Sequence, residues 1–504
     1  MSEESTMRGQ EDIKDIDVIS MYEGIPYSVI ADDLSEARKE DYFQEVQGIV
    51  SLYVAYKKGQ PFTTEGSNAN YVPSDLRYKK AANIMNKEVR FLFANPPTFH
   101  INWNATDEAD KEANTILQDF LDKVLEKNMF NSKLLKAAKD CFVGKRVAIM
   151  LNFNEHKGIT ITFLNSLEFI YELDGDGNEL SKITTFYNMV DTVHKQEQRW
   201  FKKTYDLEDD IVYVEEGIYD GLGVAIEEPV RKPTRFSYIP AVVILNDGLT
   251  GETRGESELA SLLDYEGTYS KLANADVDAE RKGMNPTRYT IDASQESTAG
   301  LSTAPGAYWD IQSDDNKAVE HQAQIGILET NMSYSGALKT TLDRIENTMY
   351  SEVDVPNISG EQLQGVITSG KTLKALYWGL SVRCDEKMLA WGPALMFMAQ
   401  AIIDGGRLYP TSITRYTDAL ALPTINCDIV VENNYPLPED VEEEKNSDLA
   451  EVNQQVMSRK AYLKKWRKLS DKEADEELNQ IKLEQDLFEN SELPTPIGDD
   501  AALD

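Results

Sequence analysis

Two long helical segments that bracket a small β-containing insert constrain the fold of this chain more than any other feature. Residues Ser257 to about Lys282 contain no proline, and at ~1.5 Å per residue they predict a helix about 40 Å long that stops at Asn285-Pro286. A second helix is predicted from near Ile325, because Leu338, Leu342, Ile345 and Met349 recur at steps of four, three and four. Between them, Arg288–Ile291 and Tyr308–Ile311 predict short strands. Neither helix could bury its apolar side alone, which indicates assembly with further copies of the chain.

The strongest helical signal follows a polar, glycine-containing segment, Val353 to Thr368. An unbroken apolar stripe at steps of three and four predicts one helix of roughly 35 residues, about 370–404. Pro393 should bend this helix and Gly405-Gly406 should end it. The stripe consists of Leu373, Tyr377, Leu380, Cys384, Met388, Trp391, Leu395, Met398 and Ile402.

The remaining segments mix both periodicities, so the predicted fold class is α+β. Cap chemistry at Ser74 and Asp75 predicts a helix from Ser74 that ends before Asn95-Pro96-Pro97. Further helices are predicted at Thr106–Lys127 and Asn131–Phe142, and again in an acidic tail after Pro436. Strands are predicted at Thr98–Trp103, Arg146–Asn154, Gly158–Leu164, Ile211–Val214, Pro240–Leu245 and Ile425–Val431.

Composition excludes several classes of protein. The longest nearly uninterrupted apolar run, Trp391 to Ile403, is too short for the ~20 residues that cross a bilayer, and the first 30 residues show no secretory signal. Three distant cysteines and four scattered histidines give neither a disulfide framework nor metal-site spacing. The cluster from Asp174 to Asn178 resembles a calcium loop, but Glu179 occupies the position that needs glycine, so we predict a hairpin turn. We expect no cofactor.

The net charge of −36 argues against tight binding of nucleic acid, which requires a basic surface. It is compatible with a wall past which DNA moves without adhering, since like charge repels phosphates. Six basic residues nevertheless fall within ten positions near the C-terminus: Arg459, Lys460, Lys464, Lys465, Arg467 and Lys468. They could contact DNA phosphates, but pairing with the acids at 471–477 is the favoured interpretation.

Residues 365–372, GVITSGKT, match the phosphate-binding pattern GxxxxGK[ST]. A functional loop of this kind follows a buried strand, and Pro356, Asn357 and Gly360 break any strand ahead of it. No alternating strand–helix series surrounds the motif. The favoured interpretation is a mobile loop that enters the long helix. No catalytic set of side chains is found, so the chain is predicted not to be an enzyme.

Several segments, in their order, resemble the portal proteins of tailed bacteriophages, especially those of siphoviruses of Gram-positive hosts. The resemblance covers roughly residues 75–490 and depends on order, because no one segment is specific. An early helix runs into a proline-marked strand (Lys87–Phe99), a strand (Ile239–Asn246) precedes the first long helix (from Glu256), a loop (Ser359–Thr372) precedes the kinked helix, and Tyr435–Asp440 opens the acidic tail.

The resemblance implies a ring, usually of twelve subunits, at one capsid vertex of the virion. Viral DNA would be packaged and ejected through its channel, and terminase, capsid, scaffolding and tail connector proteins would dock on it. By position, residues 1–30 would be an N-terminal arm, 31–255 and 353–436 the wing, 256–284 and 325–352 the stem, 285–324 the clip and 437–504 the crown and tail. The tunnel loop, about 357–369, and the start of the next helix would contact DNA through Asn357, Ser359, Gly360, Gln362, Gln364, Thr368, Lys371 and Lys374.

Two other hypotheses stay open at this point. Residues 365–372 would support a P-loop NTPase, and the acidic composition would suit another virion assembly protein, such as a scaffold or connector. ATP hydrolysis by the purified protein separates the first alternative from a portal, and a ring with an axial hole separates the second.

Overall fold

The structure is a computed structural model. It describes residues 27–61, 72–101, 108–175, 177, 179–189, 199–249, 251–284, 287–298, 300–302, 308–314, 322–328, 332–358, 370–417, 419–436, 441–467, 469 and 471–489. They fall into two compact units: the described part of 1–357 with 378–436, and that of 358–377 with 437–504. The predicted N-terminal arm, up to residue 26, lies outside the described residues.

Helices and strands alternate in the first unit, which confirms the α+β class. Its helices are α1 Tyr27–Ile30, α2 Glu36–Lys58, α3 Lys80–Phe93, α4 Glu108–Lys127, α5 Phe130–Gly144, α6 Glu258–Met284, α7 Gln295–Thr298, α8 Ser335–Glu352 and α10 Trp378–Leu408. Its strands are β1 Thr98–Ile101, β2 Arg146–Asn154, β3 Gly158–Asn165, β4 Phe169–Leu173, β5 Leu180–Met189, β6 Arg199–Glu208, β7 Ile211–Asp220, β8 Val230–Pro233, β9 Ala241–Leu245, β10 Thr287–Ile291, β11 Gln324–Leu328 and β12 Ile429–Glu432. The second unit contains α9 Gly370–Leu376, α11 Val441–Asn453, α12 Arg459–Arg467 and α13 Asp471–Glu489.

The strands form antiparallel sheets. A five-stranded meander has the order β4-β5-β6-β7-β8, a three-stranded sheet the order β3-β2-β9, and β1 pairs with β12. Met150 and Ala241 of the smaller sheet pack with Ile183, Tyr205 and Val214 of the larger one in a shared core. The turn between β4 and β5 confirms the predicted hairpin, with the Asp174 N–H donating to the Glu179 carbonyl at 2.8 Å.

Two strand edges are closed by side-chain amides rather than by further strands. Gln118 accepts from the Ile101 N–H at 3.2 Å and donates to the Phe99 carbonyl at 3.0 Å along β1. Asn128 does the same on β3, accepting from Ile161 N–H at 2.9 Å and donating to the Ile159 carbonyl at 3.0 Å. An amide group offers one donor and one acceptor side, as a peptide unit does, so each satisfies the backbone groups it faces.

The insert between α6 and α8 corrects two sequence predictions. Tyr308–Ile311 is not a strand, and the second helix does not begin near Ile325 but at Ser335. Instead β11 pairs antiparallel with β10, with Arg288 opposite Ile327. The physical reason lies in Ile325 and Ile327, whose period-two spacing around Gly326 suits a strand, and in Tyr289, whose ring lies where a Cβ on Gly326 would sit.

The apolar stripe forms α9 and α10, which confirms the long helical prediction apart from a break at Tyr377. Pro393 lies inside α10. Gly405 and Gly406 do not end the helix, which continues to Leu408, because they serve close packing instead. A Cβ on Gly405 would meet the Phe153 ring at 2.1 Å, and one on Gly406 would meet the Leu422 side chain at 2.6 Å. By length and composition α10 could cross a membrane, but 56% of its apolar window is buried inside the fold, as in a core helix.

Candidate functional site

The two long helices, α6 and α8, pack against each other and against α3. The Lys80 ammonium lies 2.7 Å from the Glu346 carboxylate, and the Lys87 ammonium donates to the Tyr350 hydroxyl at 2.8 Å. Met349 of α8 is fully buried at this end, whereas the other α8 side chains are half-buried or exposed. The helix pair is therefore tied to the body at the end remote from the insert.

Residues 72–79 form an extended segment that runs along α6. The sequence had predicted that α3 begins within this segment, at Ser74, but α3 begins at Lys80. Ser74 does not cap a helix, because its N–H and hydroxyl donate to the Asp278 carboxylate at 3.0 and 2.7 Å. Asn274 exchanges two hydrogen bonds with the backbone of Leu76. Glu266 accepts from the Gln60 and Ala81 N–H groups at 2.8 and 2.7 Å. Burial raises the pKa of Glu266, and these hydrogen bonds partly offset that rise.

A buried cluster of charges, which we call the junction, joins the start of α6 to α3 and α10. Arg383 of α10 donates to the carboxylates of Glu88, at 3.1 Å, and Glu258. Lys387, one turn later, donates to Glu258 at 2.8 Å and lies 3.5 Å from Asp247. Glu88 and Glu258 are almost completely buried. Three elements distant in sequence are thus held by one ionic network.

The junction has unequal charge compensation. Burial raises the pKa of Glu88 although Arg383 and Lys387 oppose the rise, and its Oε2 has no hydrogen-bond partner among the described residues. Burial acts in the same direction on Asp247, but Lys387, the Gly248 N–H and Arg383 together outweigh it, and the pKa of Asp247 is lowered. Removing Arg383 would leave the buried Glu88 carboxylate without its hydrogen-bonded cation.

The residues predicted to contact DNA are only partly within the described structure. Ser359, Gly360, Gln362, Gln364 and Thr368 lie outside the described residues. Asn357 belongs to the first unit, where its side-chain amide donates to Asn347 of α8 at 2.8 Å. Lys371 and Lys374 lie on α9 in the second unit, and Lys374 is exposed.

The context of the GxxxxGK[ST] match agrees with the sequence argument as far as the structure describes it. Residues 353–358 form no strand; the Val355 N–H donates to the Tyr350 carbonyl, which folds this segment back on α8. Residues 359–369 lie outside the described part of the chain, and a helix begins at Gly370. Among described residues, no group of three His, Cys, Asp or Glu side chains could hold a metal ion.

The C-terminal basic patch pairs with acids of its own unit, which confirms the favoured interpretation. Lys460 lies 2.9 Å from Asp475 and Arg467 3.2 Å from Glu477, both within the predicted acidic stretch. Lys465 lies 2.8 Å from Asp448, whose pKa is lowered by this hydrogen bond. Arg459 and Lys464 are exposed, and Lys468 lies outside the described residues.

Sequence reasoning missed the junction. Arg383 and Lys387 are three and seven residues after Leu380, so they share a helix face with the unbroken apolar stripe, which is the signal that could have revealed buried charges there. Their acidic partners, Glu88 and Glu258, carry no comparable signal because the chain contains 87 acids.

A long helix pair with a terminal hairpin is joined by buried charges to an α+β body. A family model described as phage portal protein, SPP1 Gp6-like, matches residues 37–487. The chain belongs to this family, and it is a portal component of a bacteriophage capsid. The resemblance found in the sequence is thereby confirmed at the level of the portal family.

Among solved structures, one chain from "Neck of native GTA particle computed with C12 symmetry" is similar to this chain. The match covers 76% of this chain and 88% of that chain, with 8% identity and a TM-score of 0.40. A likeness at this level carries no functional information. No curated protein sequence matches the chain significantly.

Proposed function

We propose that the protein assembles into a closed ring, usually of twelve subunits, that forms the DNA channel at one capsid vertex. Membership of the portal family is the observation that carries this proposal. Viral DNA passes through the ring during packaging and ejection. Terminase docks on it first and tail connector proteins later, with capsid and scaffolding proteins around it. Assembly takes place in the host cytoplasm, and the phage is of the siphovirus type that infects Gram-positive bacteria.

The exposed insert supports a ring. Both faces of the β10–β11 hairpin carry exposed apolar side chains, with Tyr289, Ile291 and Leu328 on one face and Ile325 and Ile327 on the other. A two-stranded sheet with no packed face is marginally stable in water. Contacts with neighbouring copies would cover this surface and stabilise it.

The elements are assigned to portal regions by position. The helices α6 and α8 form the stem, assigned to residues 256–284 and 325–352, and the insert, 285–324, forms the clip. Residues 31–255 and 353–436 form the wing, and 437–504 the crown with its tail. The β11 strand extends the β structure of the insert to Leu328, past the boundary given for the clip.

The channel is proposed to be a surface along which DNA moves without adhering. Small and polar residues of the tunnel loop, about 357–369, supply hydrogen-bonding groups without dense positive charge, and Lys371 and Lys374 are the bases nearest to it in sequence. With a net charge of −36 per subunit, phosphates are repelled from most of the surface.

We expect purified protein to form closed rings, most often of twelve, at near-physiological salt. The hairpin exposes apolar surface on both faces, and in a closed ring the neighbouring copies would cover it in the same way at every subunit. Native mass spectrometry gives the subunit number, and negative-stain microscopy shows the axial hole. A stable monomer at micromolar concentration would contradict the proposal.

We expect loop variants to assemble normally and to package DNA less efficiently. The change is Gln362→Ala with Gln364→Ala, or Lys371→Ala, and the packing positions of α10 are left intact. Efficiency is measured as nuclease-protected DNA in an in vitro packaging reaction, with Lys136→Ala at an exposed position of α5 as the control. Normal DNA filling in both loop variants would remove the loop from the proposed DNA path.

A further inference from the structure

A compact basic pocket lies where the end of α4, the β2–β3 turn and the segment after α10 meet. It has a volume of about 480 Å³ and is lined by Lys127, Asn128, Lys157, Ile159, Thr160, Arg415 and Tyr416. Its floor is fixed: the Tyr416 hydroxyl donates to the Ile159 carbonyl at 2.9 Å and accepts from its N–H at 3.0 Å. The pocket is therefore preformed rather than assembled by its ligand.

Two of the three cations of this pocket are held by backbone carbonyls. Lys127 donates to the Arg415 carbonyl, and Arg415 to the Lys157 carbonyl at 3.5 Å. No carboxylate of a described residue lies within ion-pair distance (4.0 Å) of Lys127, Lys157 or Arg415. In a chain of net charge −36, three cations that line one pocket without an acidic partner in the described structure point to an anionic ligand.

An acidic turn of complementary form projects from the other end of the β sandwich. Asp209 and Asp210 connect β6 to β7, and Glu208 pairs directly with Ile211. Both aspartates have positive φ, 48° and 61°, as a two-residue type I′ hairpin requires. Both are exposed, and no cation of a described residue forms an ion pair with either. The turn is a narrow projection that carries two uncompensated negative charges.

The register of the strands places the pocket and the turn at opposite ends of the sandwich. The β2 strand begins at Arg146, whose guanidinium lies over the Tyr171 ring. It continues to Asn152, whose side chain accepts a hydrogen bond from the Lys203 ammonium at 2.7 Å. Beyond Asn152, Lys157 lines a cleft together with Phe201. From Lys203 the β6 strand runs in the other direction, and at ~3.3 Å per residue Asp210 is about 20 Å further on. Surfaces at opposite ends can meet only between different copies.

We infer that the basic pocket of one subunit receives the Asp209–Asp210 turn of a neighbouring subunit. Such a contact is heterologous, so the same pair of surfaces repeats around a ring and closes it. A recess that holds three clustered cations fits a projecting turn better than it fits duplex DNA. Proteins bind the DNA backbone through extended stripes of basic side chains. The inference rests on the proposed ring and adds the two surfaces through which neighbouring subunits bind each other.

The test uses two full-length variants with opposite charge reversals. One carries Lys127→Glu and Lys157→Glu in the pocket, and the other carries Asp209→Lys and Asp210→Lys in the turn. Each alone should raise the half-assembly concentration at least about tenfold, because like charges then face each other at every contact. A mixture of both should restore assembly to within about twofold of the wild type, since alternating subunits pair every reversed pocket with a reversed turn. Lys136→Glu with Lys232→Glu, which changes the charge equally elsewhere, is the matched control.

Assembly is followed by sedimentation velocity and mass photometry, with circular dichroism to show that each variant is folded. Normal assembly of both variants, or failure of the mixture to recover, would overturn the inference and leave the portal proposal standing. Normal assembly with lost binding of duplex DNA by the pocket variant would assign the site to nucleic acid and equally overturn it. Absence of rings in the wild-type protein would overturn the proposed function, and the inference with it.

Discussion

The Arg383→Ala protein should lose about 3–5 kcal/mol of its free energy of unfolding, the range for breaking a buried ion pair by removal of one partner. Arg383 is bonded to both Glu88 and Glu258, whose side chains are 0% and 2% exposed, so its loss leaves two buried carboxylates with Lys387 alone. Urea-induced unfolding followed by tryptophan fluorescence measures the difference. Arg90→Ala, on the exposed side of α3, is the matched control and should change little.

The pH dependence of this loss has a definite sign. Burial raises the pKa of Glu88 in the folded protein, and removal of Arg383 takes away a group that opposes the rise. An acid whose folded pKa is raised adds stability at low pH, and that stability is lost as the pH rises through the folded pKa. The deficit of the variant should therefore be smaller at pH 5 than at pH 8. An equal deficit at both values would show that Glu88 does not carry the effect.

Leu380→Asp should prevent accumulation of folded, assembled protein. Leu380 is 1% exposed on the apolar stripe of α10, and an unpaired carboxylate there has no compensating group other than the cations already engaged in the junction. The measurement is soluble yield together with the elution volume in size-exclusion chromatography. Leu389→Asp, on the same helix but with its side chain 77% exposed, should fold and assemble. Equal behaviour of both variants would contradict the assigned burial of the stripe.

Periodicity predicted the elements whose burial depends on one repeating face. The stripe of α10 and the strands β2 and β3 were found within a few residues because burial follows their repeat over much of their length. The ends of helices were not predictable where contacts with residues distant in sequence decide them. Ser74 carries cap chemistry yet binds Asp278, about 200 residues away, and Gly405 looks like a helix terminator although it makes room for Phe153.

The insert shows where a local pattern is ambiguous. Ile325 could begin a helix that continues into the later apolar repeat, or it could form a strand with Ile327. Pairing with β10 selects the strand. Helix α2 and strand β6 were not predicted. The apolar spacing of β6 is irregular, whereas α2 repeats Tyr42, Val46, Ile49 and Tyr53 at steps of four, three and four, a signal that was missed. Within the candidate site, the helix pair and the pairing of the basic patch could be predicted. The junction could not, because its acids cannot be distinguished in the sequence from the other acids of the chain.

The amides of Gln118 and Asn128 have a consequence for how such a protein survives before assembly. A ring subunit meets other copies of itself before it assembles, and a bare strand edge is a template for fibres. Gln118 and Asn128 occupy the backbone groups of β1 and β3 with a group that cannot propagate, because a side-chain amide ends the ladder it joins. The hairpin of β10 and β11 has no such stopper among its described contacts. Strand pairing between copies is thereby opposed at the β1 and β3 edges, whereas the hairpin keeps a strand edge and apolar faces for contacts within the ring.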